Sequence, residues 1–355
     1  KRQITWYAVS SERNYHLRYG RNQERLNRVM NSTETSQGGL AAYLLDGNGG
    51  ARLLDRNELA RWSSEQGILW VHLNYTDAED QRWLAGSSLD KLVVDALLAE
   101  DTRPRTTAIG EGLLVSLRGV NLTPGADPED MVSIRIWIEK GLLVTSRKRS
   151  LLSVDDVVSQ LESGRGPKST AELLVELSDR LVWRMSDTVD QFEDRVADLE
   201  GRVLESNNSS MRYELATLRR QAIELRRYLA PQREALARLI IEKVDWLNEA
   251  CRLRLREVSD RLIRHIEDLD AVRERAAVTQ EELLSRLSEQ LNTRMYVLSV
   301  VAAVFLPLGF LTGLLGINVG GIPGSEYGQA FWVFIGMLIV VVILQVVIFR
   351  WKNWL

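Results

Sequence analysis

The chain has 355 residues, 45% of them hydrophobic, enough for a sizeable core and two or three structural units. Its 45 basic and 48 acidic residues leave a formal net charge of −3, close to balanced and without the overall excess of basic residues that marks a nucleic-acid-binding protein. Cys251 is the only cysteine, so an intrachain disulfide is excluded and a reducing compartment fits. Three histidines, His16, His72 and His265, are few for a metal centre built from imidazoles.

In chain order, residues 1–36 are polar with little periodicity, and Asn31–Gly38 is expected to be unstructured. No secretory leader is legible. Leu40–Leu45 and Ala51–Leu54 flank Asp46-Gly47-Asn48-Gly49-Gly50, a hairpin turn. Leu69–Tyr75 alternates like a strand. Ala78–Ala85 and Leu89–Glu100 read as helices, followed by strands at Leu113–Val120, Val132–Glu139 and Leu142–Arg147, with Gly141 turning the last pair. Val154–Glu162 is a short helix. His72 reads as a half-buried strand residue beside Trp70. Thr102-Arg103-Pro104-Arg105 reads as a loop that ends a helix at proline, with anion binding as the functional alternative. Asp127, Glu129 and Asp130 form a solvated acidic turn. There is no phosphate-binding glycine fingerprint, no nucleophile–base constellation and no HExxH, so an enzyme is not expected.

Helical periodicity runs from Ser169 to Leu204, breaks at Ser206–Ser210 and resumes from Met211 to Leu229, with Pro231 interrupting or restarting it. This predicts an antiparallel helical hairpin. A third helix is expected from about Trp246, with no Gly or Pro before Pro307. His265 and Asp268, three residues apart, could hold a metal; a charged helix face is the plainer reading. Cys251 reads as structural or incidental.

From Met295 to Ile317 there is no Asp, Glu, Lys, Arg or His. About 23 residues at roughly 1.5 Å each give about 34 Å, enough to cross a hydrocarbon core of about 30 Å. Ala330 to Phe349 has the same character. Arg294 precedes the first run, Arg350 and Lys352 follow the second, and the connecting loop has no Lys or Arg. Both termini are therefore expected in the cytoplasm. Trp332, Trp351 and Trp354 suit interfacial belts. The organisation expected is a cytoplasmic α+β domain (residues 1–165), a helical hairpin (166–245) and a stalk helix (246–294). A transmembrane helix (295–317), an outer loop (318–329), a second transmembrane helix (330–349) and a basic tail (350–355) follow.

One heptad stripe connects stalk and membrane: Glu281, Ser285, Ser288, Asn292, Met295, Ser299, Ala302, Leu306, Gly309, Gly313. It is small or polar along much of its length. Two explanations stay open. Small residues let helices pack closely. Alternatively the stripe lines a water-filled axis, because polar groups in hydrocarbon face protein or water. Two spans cannot enclose a pore, so the second explanation requires a cyclic homo-oligomer. Glu326, the only charge in the outer loop, would then form an outer acidic ring that concentrates cations. A membrane-anchored signalling or scaffold protein is the reading from a different class.

The long helix entering the membrane, Leu306-Pro307-Leu308-Gly309-Phe310-Leu311-Thr312-Gly313-Leu314-Leu315-Gly316-Ile317-Asn318, Ile322-Pro323-Gly324 in a short outer loop, the second span and the basic end together resemble the CorA superfamily of divalent-cation transporters. Trp70-Val71-His72-Leu73 and Arg103-Pro104-Arg105 resemble it more weakly. The family signature Gly-Met-Asn is replaced by Gly316-Ile317-Asn318, and the loop after it lacks early acidic residues. Both departures make the chain more similar to the zinc-associated ZntB branch. The resemblance implies a homopentamer with a cytoplasmic funnel in a bacterial inner membrane. It also implies a pore lined by the first span, an acidic ring at Glu281, and an outer filter of Gly316, Ile317 and Asn318 holding a hydrated cation. It implies no cofactor, with zinc as the transported ion and proton-coupled uptake. Passive conduction and magnesium, cobalt or nickel as cargo are the alternatives. The implied partners are other copies of the chain, the bilayer, divalent cations and protons.

Overall fold

A computed structural model of the chain describes residues 39–100, 102–123, 125–127, 129–205, 210–315 and 327–352. The expected unstructured segment at 31–38 lies outside them. The chain divides into two compact units, Lys1–Glu200 with Tyr213–Ala277, and Gly201–Arg212 with Val278–Leu355.

The first unit is built on a sheet. Its strands are β1 (Ala41–Leu45), β2 (Ala51–Leu54), β3 (Ile68–Asn74), β4 (Arg105–Ile109), β5 (Gly112–Gly119), β6 (Val132–Glu139) and β7 (Leu142–Arg147). The spatial order is β2-β1-β3-β7-β6-β5-β4. The turn between β1 and β2 closes because the Asp46 carboxylate accepts from the backbone N–H of Asn48 (2.7 Å) and Gly50 (2.9 Å). Gly141, at φ +84°, makes the tight turn between β6 and β7. β3 and β7 pair in parallel, Leu69 opposite Leu142 through Asn74 opposite Arg147, whereas the other pairings are antiparallel.

Short helices follow their capping residues. α1 (Arg56–Ala60) starts in a capping box of Asp55 with Glu58, α2 (Ala78–Ala85) on Asp77, and α3 (Lys91–Leu98) on Asp90. They cover one face of the sheet. Leu84, Val93 and Leu97 pack there with Val71, Leu73, Leu114, Trp137 and Val144. α4 (Leu152–Glu162) packs on α5 (Thr170–Trp183), and α5 packs on β5 and β6. Alternate strand residues therefore point into two apolar layers.

Four local expectations change. The Thr102–Arg105 loop ends in a strand: Arg105 begins β4, an edge strand whose Thr106 hydroxyl donates to the Ala235 carbonyl at 2.8 Å. The periodic run from Ser169 to Leu204 is two helices, α5 and α6 (Ser186–Glu205), because the chain turns at Arg184–Met185. There the Arg184 guanidinium forks onto Asp156 at 2.6 Å twice, and Met185 is fully buried. Pro231 does not interrupt α7 (Ser210–Ile241). The helix is pinned on both sides of the proline, because Gln232 Oε1 accepts from Arg118 N (2.7 Å) and the Arg118 guanidinium sits 4.1 Å over the Tyr228 ring. Finally, His72 is buried in a polar chain. Arg147 Nε donates to its Nε2 (2.7 Å), so Nδ1 carries the proton toward Thr145 Oγ1 (2.7 Å). Burial, then the Arg147 charge, push its pKa down to about 3.

Candidate ion pathway

The pathway expected from sequence lies on one helix, α8 (Glu249–Leu315). It has 67 residues, or about 100 Å at roughly 1.5 Å each. Pro307, Gly309 and Gly313 do not end it. α9 (Ala330–Trp351) is the second helix long and apolar enough to cross a membrane.

In the first unit α8 buries one heptad stripe: Cys251, Leu255, Val258, Leu262, Ile266, Leu269, Val272 and Ala276. Charged rims fix it. Arg254 reaches Glu176 (2.8 Å) and Arg261 reaches Asp179 (2.7 Å), both on α5. Arg275 forks onto Glu200 of α6 (3.0 and 2.6 Å), which holds that carboxyl below its ordinary range. Arg226 of α7 reaches Asp270 (2.7 Å). His265 is buried, not part of a charged face. Its Nε2 lies 3.4 Å from Ser186 Oγ, and burial lowers its pKa. Among the described residues no group of three or more His, Cys, Asp or Glu could hold a metal ion. Cys251 is buried on the packed stripe, as a structural cysteine would be.

In the second unit Leu283 is fully buried, and Arg286 is tied to Glu282 (2.6 Å) and to the carbonyl of Leu204 (3.3 Å). Within the apolar span, the half-buried positions are Val300, Ala303, Val304, Leu308 and Leu311. Their spacing of three and four continues, by register, the stripe that is packed in the stalk. On α9 the covered positions are Phe334, Ile335, Leu338, Val341, Gln345 and Phe349. Gln345 Nε2 donates to the Ala303 carbonyl (3.4 Å), so these two faces form the seam between the spans.

All ten residues of the sequence stripe, Glu281, Ser285, Ser288, Asn292, Met295, Ser299, Ala302, Leu306, Gly309 and Gly313, lie on α8 and are exposed in the single chain. They sit away from the seam in helical register. Met295 and Leu306 are 61% and 71% exposed. The Ser299 hydroxyl donates to the Met295 carbonyl (2.8 Å), which satisfies it inside the span. Gly316, Ile317, Asn318 and Glu326 lie outside the described residues. Sequence reasoning missed the seam: it left α9 without a packed face, although Gln345 is an isolated carboxamide in an apolar run.

Comparison with known proteins places this architecture. The family described as "CorA-like Mg2+ transporter protein" matches residues 65–350. The zinc transport protein ZntB of Yersinia enterocolitica is 39% identical over 303 residues, covering 85% of this chain and 91% of that protein. The ZntB of an Enterobacter species is 39% identical over 302 residues, with the same coverage. Among solved structures, full-length CmaX superposes with a TM-score of 0.78 at 38% identity, covering 90% of this chain and all of that one. The complete CorA magnesium transporter of Methanocaldococcus jannaschii shares the fold, with a TM-score of 0.76 at 18% identity over 90% of this chain and 99% of that one. The α+β unit, the long helix and the two apolar helices are thus CorA-like, and the chain belongs to the CorA family, whose members are transporters of divalent metal ions and not enzymes.

Proposed function

We propose that this chain carries zinc across a bacterial inner membrane as a homopentamer, with both termini in the cytoplasm. The observation that carries the proposal is the pair of faces on α8. One face is used up by the chain's own helices, and the opposite small and polar face, Glu281 to Gly313, is exposed in the single chain. Turning the second face toward a shared axis gives its serines and Asn292 water. Zinc is favoured as cargo because the relatives at 39% identity are named zinc transport proteins and because Ile317 stands in the signature.

In this reading residues 246–294 are the stalk and 295–317 the pore-lining span. Residues 318–329 are the outer loop, 330–349 the second span and 350–355 the basic tail. Glu281 forms the inner acidic ring, and Met295 and Leu306 form apolar constrictions. Glu326 concentrates cations outside. Asn318 carboxamides and backbone carbonyls near Gly316 offer partial negative charge without a strong anion. They hold a hydrated ion and release it. The span itself offers none of the Cys, His or carboxylate ligands that grip dehydrated zinc. Coupling to protons would use groups at the mouths, such as Glu281 or Glu326, because the first span has no ionisable carrier.

The test is flux into proteoliposomes with zinc, magnesium, cobalt and nickel compared, with and without a pH gradient. Zinc uptake that rises with an inward proton gradient is expected. Asn318→Ala should lower it at least about tenfold, equivalent to about 1.4 kcal/mol at the barrier. Full zinc flux in that variant would remove the filter assignment, and gradient-independent flux would leave a passive channel.

A further inference from the structure

Pro307 has no backbone N–H, so the carbonyl of Ala303, four residues earlier, loses the donor that the helical ladder would supply. Both residues lie within the apolar run, where no bulk water takes that donor's place. α8 nevertheless continues unbroken through Pro307 to Leu315. A side-chain donor for it stands on the other span. Gln345 is the sole charged or carboxamide residue between Ala330 and Phe349, and its Nε2 donates to the Ala303 carbonyl at 3.4 Å. It sits on the covered seam of α9 with Leu338, Val341 and Phe349 at spacings of three and four. Its Oε1 is buried and meets no donor among the described residues. A carboxamide in hydrocarbon with one acceptor unpaired is expensive. What it does is supply a donor to the carbonyl of the facing helix that Pro307 leaves without one.

We propose that Gln345 is a positioning residue for the first span, a side-chain substitute for the N–H that Pro307 lacks. It keeps α8 helical through the proline and ties any bend there to α9. When the bond opens, Ala303–Pro307 becomes a hinge; when it is made, the two spans move together. The latch stands on its own geometry. Its bearing on transport rests on the pore reading, in which Leu306, next to the proline, is a constriction whose width the latch sets.

The test is a double-mutant cycle on the full-length protein in liposomes, read by backbone hydrogen exchange over residues 300–312 and by zinc flux. Gln345→Leu should speed exchange about threefold to twentyfold, the range expected for an interhelical hydrogen bond in a membrane. In a Pro307→Ala background, where a backbone N–H returns at position 307, the same change should have no effect. Gln345→Met, closer in shape, serves if the leucine variant does not insert. An equal effect of the Gln345 substitution in both backgrounds would mean ordinary packing and overturn the latch, as would no effect in either. Coupled exchange in a protein that carries none of the four ions, zinc, magnesium, cobalt and nickel, would support the latch and defeat the pore reading alone. Zinc flux with no coupling would defeat the latch alone.

Discussion

The two units of this chain solve the burial problem differently. In the first, apolar side chains are covered by the chain itself: both faces of the sheet are packed, and α8 from Cys251 to Ala276 buries one residue every three or four. In the second, most of the apolar surface stays open. Phe305, Leu306, Phe310 and Phe331 are each more than 60% exposed, and only one seam is covered. The first unit covers its core within one chain. The second unit's open apolar surface suits hydrocarbon, and the proposed oligomer would cover the rest. The same helix serves both, so its heptad is read twice, once for internal packing and once for what lies outside the chain.

The largest expected effect tests self-sufficiency. Leu262 is fully buried, and Leu262→Ala should cost about 2–5 kcal/mol. If the first unit is complete by itself, the loss seen by thermal unfolding should not depend on protein concentration. A concentration-dependent loss would make this part of α8 an interface between copies.

Next come the two faces of the span. Val304→Asp places a carboxylate in the seam and should cost about 2.5–3.5 kcal/mol of insertion or detergent stability. Ser299→Asp, on the open stripe, should cost less than about 1 kcal/mol if that face meets water in an oligomer, and should raise cation flux. Equal damage from both would put the stripe against lipid.

The most gradual effect, spread over several pH units, concerns the buried polar chain of the first unit. His72 is held neutral, its folded pKa of about 3 lying below the ordinary 6.5. Below pH 6.5 the unfolded chain takes up a proton that the folded chain refuses. Stability should therefore fall as pH drops from about 6.5 toward 3, by up to about 1.4 kcal/mol per pH unit. His72→Gln should flatten that slope in thermal unfolding measured from pH 7 to pH 4. An unchanged slope would assign it to other groups.

Much of this was legible in the residues. Length and absence of charge marked both spans, since the hydrocarbon thickness fixes how many apolar residues a helix needs. Alternation marked the strands β1, β3, β5, β6 and β7, and Asp46–Gly50 marked its hairpin. The stripe from Glu281 to Gly313 could be written down from spacing alone. Tertiary structure decided the rest. Arg105–Ile109 is a strand because the edge of β5 is there to pair with it; Arg-Thr-Thr-Ala-Ile has too little apolar alternation to announce itself. β3 finds β7 across about seventy residues, and no local pattern encodes a partner that distant. The turn at Arg184–Met185 contains neither Gly nor Pro and rests on the fork to Asp156. Pro231 sits inside a helix that Arg118 of β5 anchors through Gln232 beside it, and Pro307 sits inside α8 where Gln345 of the facing span donates to the Ala303 carbonyl. The sequence by itself determined which segments enter the membrane, because that depends only on transfer of side chains from water. Which face of α8 is left uncovered depended on what α9 covers, and covering is a property of packed neighbours, not of the residues that are covered.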